Sequence, residues 1–352
     1  MKTIDGSYLE GGGSIIRIAC ALSAVTKTPV RIENIRANRP DPGLKTQHLE
    51  GLKALTDLCN GELKNGFLGS KEIEFYPKEI TSKRLKIKIS TAGSVGLIFQ
   101  ILKLPACVPP EGVTIRVQGG GTFGKYAPPL IYTQNILLPV LRETGYKADI
   151  RIQKHGFFPK GGAEVEMVFH SVKRFLPVNM EERGEMTGIK GISIASKHLE
   201  KARVAERQTN SAKKTLIEKT GVSPEIETKY VESDCPGSGI LLWCEFEKGI
   251  VSGDALGERG KPAELVGKEA CENLIKDAES GASVDKYLSD QILPFMALAD
   301  GKSSVTVPVL TNHAKTNIWV VQRFFPVEFE VKREGKHFKV SCEGVGFDFS
   351  RI

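Results

Sequence analysis

The sequence has little that would staple, anchor or export the chain. Its seven cysteines (Cys20, Cys59, Cys107, Cys235, Cys244, Cys271 and Cys342) stand singly, their number is odd, and no C-x-x-C occurs. That excludes a disulfide framework and a zinc knuckle, and leaves small core residues in a reducing compartment. No apolar run approaches the ~20 residues that cross a bilayer. The opening "MKTIDGSYLEGGGS" has no basic-then-apolar leader, so a cytoplasmic chain without membrane contact is expected. Neither Gly-rich stretch has the spacing of a Walker A loop or of the dinucleotide fingerprint. Charge of one sign is also scarce in excess: 49 basic against 42 acidic residues, a net of +7. Such a balance permits a polyanionic partner without requiring one.

What is present points to a globular chain of more than one unit. The 352 residues exceed one ordinary core, and 40% hydrophobic with 26% charged residues is a folded composition. Self-similarity organises most of the length. "SIIRIACALSAVTK" has helical apolar spacing, "TPVRIENIR" alternates as a strand, "KTQHLEGLKALTDLC" is a second helix, and two strand-like pieces end at "SKEIEFYP". The order returns in "SVGLIFQILKLPACV", "GVTIRVQGG", "PPLIYTQNILLPVLRETG", "ADIRIQKHG" and "GGAEVEMVFH". It returns again in "VDKYLSDQILPFMALAD", "SSVTVPVL", "AKTNIWVVQRFF", "VEFEVKREG" and "KHFKVSCEG". Each unit pairs two helices with several strands, which predicts an α+β large domain of three βα repeats. About a hundred residues separate the second unit from the third, ending in the small-residue stretch "DAESGAS". They alternate strands and helices on their own. The expected division is 1–182 plus 284–352 for the large domain, and 183–283 for a smaller α/β domain inserted before the third repeat.

Strand-to-helix turns are where rigid elements hold chemistry, and each repeat has a polar one. The first holds Arg36, Arg39, Lys45, Gln47 and His48; the third, "LTNHAKTN", holds His313. "LEGGGSIIR" and "QGGGTFGK" read either as tight turns or as phosphate cradles. Glu10 and Arg17 flank the first of them, as metal and phosphate contacts or as a surface pair. In "YLSDQ", Tyr287 could stack on a base while Asp290 or Gln291 reads its edge; the plainer reading is helix N-terminal polarity and a core aromatic. His313 precedes a helix, whose dipole keeps an imidazole neutral and nucleophilic. It could attack phosphorus or only hydrogen-bond the turn.

Taken together, "DGSYLEGGGSIIR", "IRANRPDPGLKTQH", "STAGSVGLIFQ", "HGFFPKGGAEVE", "YLSDQILPFMALA" and "NHAKTNIWVVQRFFPV" resemble the RNA 3′-terminal phosphate cyclases, in order, from Asp5 to about Val327. The resemblance implies three βα repeats like the C-terminal domain of a translation initiation factor, with a smaller inserted domain. It implies that His313 is the nucleophile that takes AMP from ATP, through its tele nitrogen. Gln100 and the run Tyr287, Leu288, Ser289, Asp290 and Gln291 match ATP-binding positions. Arg17, Arg36, Arg39 and Gln47 match residues lining the phosphate and the RNA end, and Glu10 matches a glutamate near a divalent cation, normally Mg²⁺. Expected partners are ATP and RNA 3′ ends, with homo-oligomerisation left open. Lys315 departs from the pattern, standing where an apolar residue is expected. Two rivals remain: a non-catalytic cyclase-like ribosome-assembly protein, expected to lack the histidine, and an enolpyruvyl transferase, which shares a repeat architecture but forms no covalent adenylate.

Overall fold

The computed structural model describes residues 1–125 and 127–352; Tyr126, inside the second Gly-rich turn, lies outside them. Alternating and amphipathic segments assemble into four four-stranded sheets. The first comprises β1 (Lys2–Asp5), α1 (Gly13–Thr26), β2 (Val30–Glu33), α2 (Thr46–Leu58), β3 (Glu62–Lys64) and β4 (Ile73–Tyr76), in strand order β1-β2-β4-β3. β1 and β2 are parallel, which requires a crossover, and α1 supplies it. β4 is antiparallel to both β2 and β3. The second comprises β5 (Arg84–Ser94), α3 (Val95–Leu102), β6 (Val113–Gly121), a helical run, β7 (Ala148–Lys154) and β8 (Glu164–Phe169). The run joins α4 (Leu130–Tyr132), a π-turn (Thr133–Leu137) and α5 (Leu138–Glu143). Its order, β5-β6-β8-β7, and its strand directions repeat those of the first sheet.

The third sheet begins with β9 (Asn179–Met180), and the chain then leaves it for the fourth. That sheet holds β10 (Met186–Ser196), α6 (Val204–Thr220), β11 (Glu225–Val231), β12 (Ser238–Phe246), β13 (Gly249–Leu256) and α7 (Ala263–Ala278), in strand order β11-β10-β12-β13. The chain returns as α8 (Lys286–Leu298), β14 (Lys302–Val307), α9 (Asn312–Phe324), β15 (Phe329–Glu334) and β16 (His337–Glu343). β14 pairs parallel with β9 and antiparallel with β16. The departure therefore falls after the first strand of the third sheet. The two ends of the excursion are tied together. Ser283 Oγ donates to Met180 O, Thr306 Oγ1 to Glu181 O at 3.1 Å, and Arg183 Nη1 to Ala278 O at 2.6 Å.

Burial follows the sequence pattern. α1 is apolar on nearly every side and is buried among α2, α3 and α9. β12 reads as an unbroken apolar run because both its faces are covered. Ile240, Leu242 and Cys244 join a core under α6 and α7, while Leu241 and Trp243 face the main core. Among the described residues no helix is long and apolar enough to cross a membrane, and all seven cysteines are buried free thiols.

Candidate active site

The ends of α1, α2, α3, α8 and α9 border one cleft of about 1180 Å³. Its floor starts at the first Gly-rich turn. A Cβ on Gly12 would run into the Glu10 carboxylate, and one on Gly13 into His48 Nε2 and the Arg17 guanidinium. These glycines thus let three polar side chains fold over the start of α1. Glu10, whose side chain is 9% exposed, accepts from Ser14 Oγ at 3.2 Å. It pairs with Arg39, not with Arg17, although the Arg39 guanidinium leaves Oε1 without a well-formed hydrogen bond.

His313 meets Glu10 from the other side. Its Nδ1 lies 3.3 Å from Glu10 Oε2. The residue stands inside the first turn of α9, since the helix opens at Asn312 with Thr311 as N-cap. Thr311 Oγ1 accepts from Ala314 N at 2.9 Å and donates to Asp290 Oδ1 at 2.6 Å, so the cap fixes both the histidine's turn and that carboxylate. Burial first, then the Arg17 and Arg39 charges, depress the His313 pKa to about 4.

A ladder of polar contacts runs inward from there. Arg17 Nε donates to Gln100 Oε1 at 2.9 Å, and Gln100 Nε2 to Gln291 Oε1 at 3.3 Å. Lys103 Nζ donates to Gln291 O at 3.0 Å. Burial lowers the Arg17 pKa to about 10 and that of Lys103 to about 7, the latter helped by Arg17. Burial raises the Asp290 carboxyl to about 7, against the Thr311 hydrogen bond. Asn317 Nδ2 donates to Asp290 O at 2.7 Å while its Oδ1 has no partner.

The sequence motif "YLSDQ" divides by helical phase. Tyr287, Asp290 and Gln291 face the cleft together with Pro294, the i, i+3, i+4, i+7 stripe of α8. Leu288 is packed in the core, and Ser289 turns its hydroxyl to Lys286 O at 2.7 Å; neither lines the cleft. Tyr287 packs edge-on against Tyr132, centroids 6.0 Å apart. Gln47 lines the cleft but its Oε1 accepts from Ser94 N at 2.9 Å. Arg36, at φ 55°, folds back to donate to the carbonyls of Asp41 and Gly43 at 2.8 and 2.9 Å, so its guanidinium is already engaged in its own loop. Lys315 is exposed and off the cleft wall.

Sequence reasoning missed several neighbours. Lys103 shares a helical face with Gln100 three residues earlier, a signal that was readable. His48, named with its polar turn but given no role, is 3% exposed and accepts Lys45 N–H on Nδ1 at 3.3 Å; burial with three nearby cations pushes its pKa down to about 3. Asp254 comes from β13 of the fourth sheet and reaches the cleft beside Tyr287 and Lys286; its strand carries no motif that marked it. Its carboxyl is pushed up to about 6, mainly by burial.

Among the described residues no three His, Cys, Asp or Glu side chains cluster as a metal cage. A Mg²⁺ ion that keeps its waters and arrives with substrate phosphates needs only one or two carboxylates. The half-unsatisfied Glu10 carboxylate fits that use.

An imidazole in a cleft lined by Arg17, Arg36 and Arg39 and by further polar side chains has the make-up of an enzyme site for phosphorylated substrates. The model of the family "RNA 3′-terminal phosphate cyclase" matches residues 8–331. The chain is 43% identical over 340 residues to the RNA 3′-terminal phosphate cyclase of Pyrococcus abyssi, covering 96% of this chain and 98% of that one. It is 42% identical over 350 residues to the cyclase of Methanopyrus kandleri (97% and 99%), and 43% over 344 to that of Methanosarcina barkeri (97% and 99%). The chain belongs to the RNA 3′-terminal phosphate cyclase family, which places it among the ligases. A solved structure, EPSP synthase from Acinetobacter baumannii, matches at 10% identity and a TM-score of 0.30, covering 98% of this chain and 66% of that one, too low a score to bear on the fold.

Proposed function

We propose that the protein converts an RNA 3′-terminal phosphate to a 2′,3′-cyclic phosphodiester at the expense of ATP, with His313 as covalent nucleophile. The contact between His313 Nδ1 and Glu10 Oε2 carries this reading. A proton on Nδ1 directed at Glu10 leaves the Nε2 lone pair free, so the neutral ring presents its tele nitrogen to substrate. Nε2 attacks the α-phosphorus of ATP, the bond to the bridging oxygen breaks, and pyrophosphate leaves. A 3′-phosphate oxygen of the RNA then attacks the same phosphorus and frees the histidine. The vicinal 2′-hydroxyl finally attacks the 3′-phosphorus and expels AMP. A bare phosphate monoester would have to expel oxide; adenylation gives it AMP as leaving group, and the last step gains from the high effective concentration of a held neighbour.

Arg39 and Arg17 lie where two phosphates would meet, and Arg39 can exchange Glu10 for a phosphate oxygen. Arg36 and Gln47 hold the walls of that end rather than the anion itself. Tyr287 offers its ring to adenine, while Gln100, Asp290 and Gln291 set the polar wall beside it. Glu10 would hold the divalent cation together with the nucleotide's phosphates, where its charge offsets that of the leaving pyrophosphate.

We also read the three sheets of common strand order as the three repeats of one large domain, and residues 183–283 as a domain inserted after β9. The shared connectivity supports this, and so does the separate core under α6 and α7.

ATP labelled at the α-phosphate tests the function: the protein acquires acid-labile, alkali-stable label, and RNA 3′-phosphate then releases it as AMP. A protein that binds RNA without becoming labelled is the assembly factor instead, and one that transfers enolpyruvate without labelling is the other rival.

A further inference from the structure

An aromatic surface lies off the cleft wall, on the turn that leads into Glu10, and has no part in the chemistry above. Tyr8 lies flat on Trp319, ring centroids 4.2 Å apart and planes within 15° of parallel. The Arg323 guanidinium stands 5.1 Å from the centre of the Trp319 ring. Trp319 covers one side of Tyr8, which is nonetheless 37% exposed. Its neighbour Leu9 is 46% exposed and is held at φ 47°, a backbone conformation that a branched aliphatic residue adopts only when its surroundings enforce it. Asn38 does so: its Nδ2 donates to Ser7 O at 2.8 Å and to Leu9 O at 3.3 Å.

These ties connect the turn to residues of the cleft. Asn38 belongs to the loop that carries Arg36 and Arg39. Glu10, two residues after Tyr8, touches both Arg39 and His313. Trp319 lies about one and two-thirds turns along α9 from His313. Trp319 packs against the main core and so fixes the stack from behind, while Tyr8 stays at the surface on a strained turn.

We infer that Tyr8, backed by Trp319 and Arg323, is a stacking platform for a base of the RNA strand upstream of its 3′-terminal nucleotide. The inference rests on the cyclase reading, because only a polynucleotide held by its end must leave the cleft as a chain of bases and phosphates. Stacking suits an enzyme that reads the chemistry of an end, since every base has a π-face and the contact is indifferent to sequence. Arg323 adds cation–π attraction to the stack and a positive charge for a passing phosphate.

The test is a cycle of protein and substrate changes. The KM for cyclisation is measured with a 3′-phosphorylated pentaribonucleotide, and with the same oligomer made abasic at every position but the last. Tyr8→Ala is expected to raise the KM of the intact oligomer about 5- to 150-fold, the equivalent of one lost stack. It is expected to change that of the abasic oligomer far less, and Tyr8→Phe is expected to restore the intact oligomer. An equal rise for both oligomers overturns the platform and makes Tyr8 a support of the Glu10 turn; no rise for either overturns it outright. Failure of the unaltered protein to label itself with ATP or to cyclise either oligomer overturns the cyclase reading itself, and the platform with it.

Discussion

Lowering the pH should barely slow self-adenylation in this protein, and removing Arg39 should make it fall. The His313 pKa is depressed to about 4. At pH 5.5 about 97% of such rings remain neutral, against about 9% for a ring titrating at the ordinary 6.5. Only the neutral ring is a nucleophile, so kcat/KM for ATP, which reports the groups of the free protein, should hold within a tenth from pH 7 to 5.5. Arg39→Gln acts twice in the same direction. It deletes one of the cations that disfavour the imidazolium, and it unmasks the Glu10 carboxylate 3.3 Å from Nδ1. Both effects raise the pKa. If they return it to about 6.5, the variant should lose about eightfold in rate over that pH interval. The assay is single-turnover incorporation of α-labelled ATP from pH 5 to 8. Asp290, whose carboxyl is raised to about 7, could contribute a limb of its own, and Asp290→Asn identifies it. An acid limb at 6.5 that persists in Asp290→Asn, or an Arg39→Gln profile superimposable on the original, would refute this account of the site.

Other outcomes follow from the same geometry. His313→Asn should abolish covalent labelling while thermal unfolding stays cooperative, because Thr311 still caps α9. Tyr287→Ala should weaken ATP by about 1–3 kcal/mol, read as a raised ATP requirement for labelling, with transfer from preformed adenylate little changed. Asp285 caps α8 through Tyr287 N and Leu288 N and also accepts from Tyr132 and Ser252, at 2.7–2.9 Å. Asp285→Ala should cost about 2–4 kcal/mol in urea unfolding at pH 7. Its folded pKa is raised to about 6, so the native protein takes up an extra proton, and gains stability, as pH falls from 7 to 5; the penalty should therefore grow by about 1 kcal/mol there. An RNA ending in 2′-deoxyribose 3′-phosphate should be adenylated and then stall, accumulating the adenylate that chromatography would resolve.

The helices were legible in the sequence because their apolar stripes are long, and α1, α2, α8 and α9 fall where the periodicity put them. Two of the strands that open the sheets were not. β1 has four residues and β9 two, too few to alternate, and each is defined by a partner elsewhere in the chain. β13, "GIVSGDAL", mixes Gly, Ser and Asp into a strand that only its pairing with β12 makes regular. In the site, contiguous motifs overstate what touches a ligand, since a helix turns Leu288 and Ser289 away from Tyr287 and Gln291. The Arg-rich loop was visible as charge. Its division of labour was not, because the left-handed backbone at Arg36 spends that guanidinium on local carbonyls while Arg39 reaches Glu10. Asp254 could not be found at all, since its approach depends on how one sheet docks on another.

The ties between Met180, Glu181, Ser283 and Thr306 bear on the order in which the chain assembles. β9 leaves the ribosome more than a hundred residues before its partner β14, and as a two-residue strand it has no means of waiting in register. Closing so long a loop from a disordered chain costs about 3 kcal/mol more than closing one of a few residues. If residues 183–283 fold first around their own core, their two ends come back side by side, and β14 finds β9 as though only a short turn lay between them. The active-site cleft, which needs α8 and α9 on top of that sheet, would then be the last part of the molecule to form during synthesis.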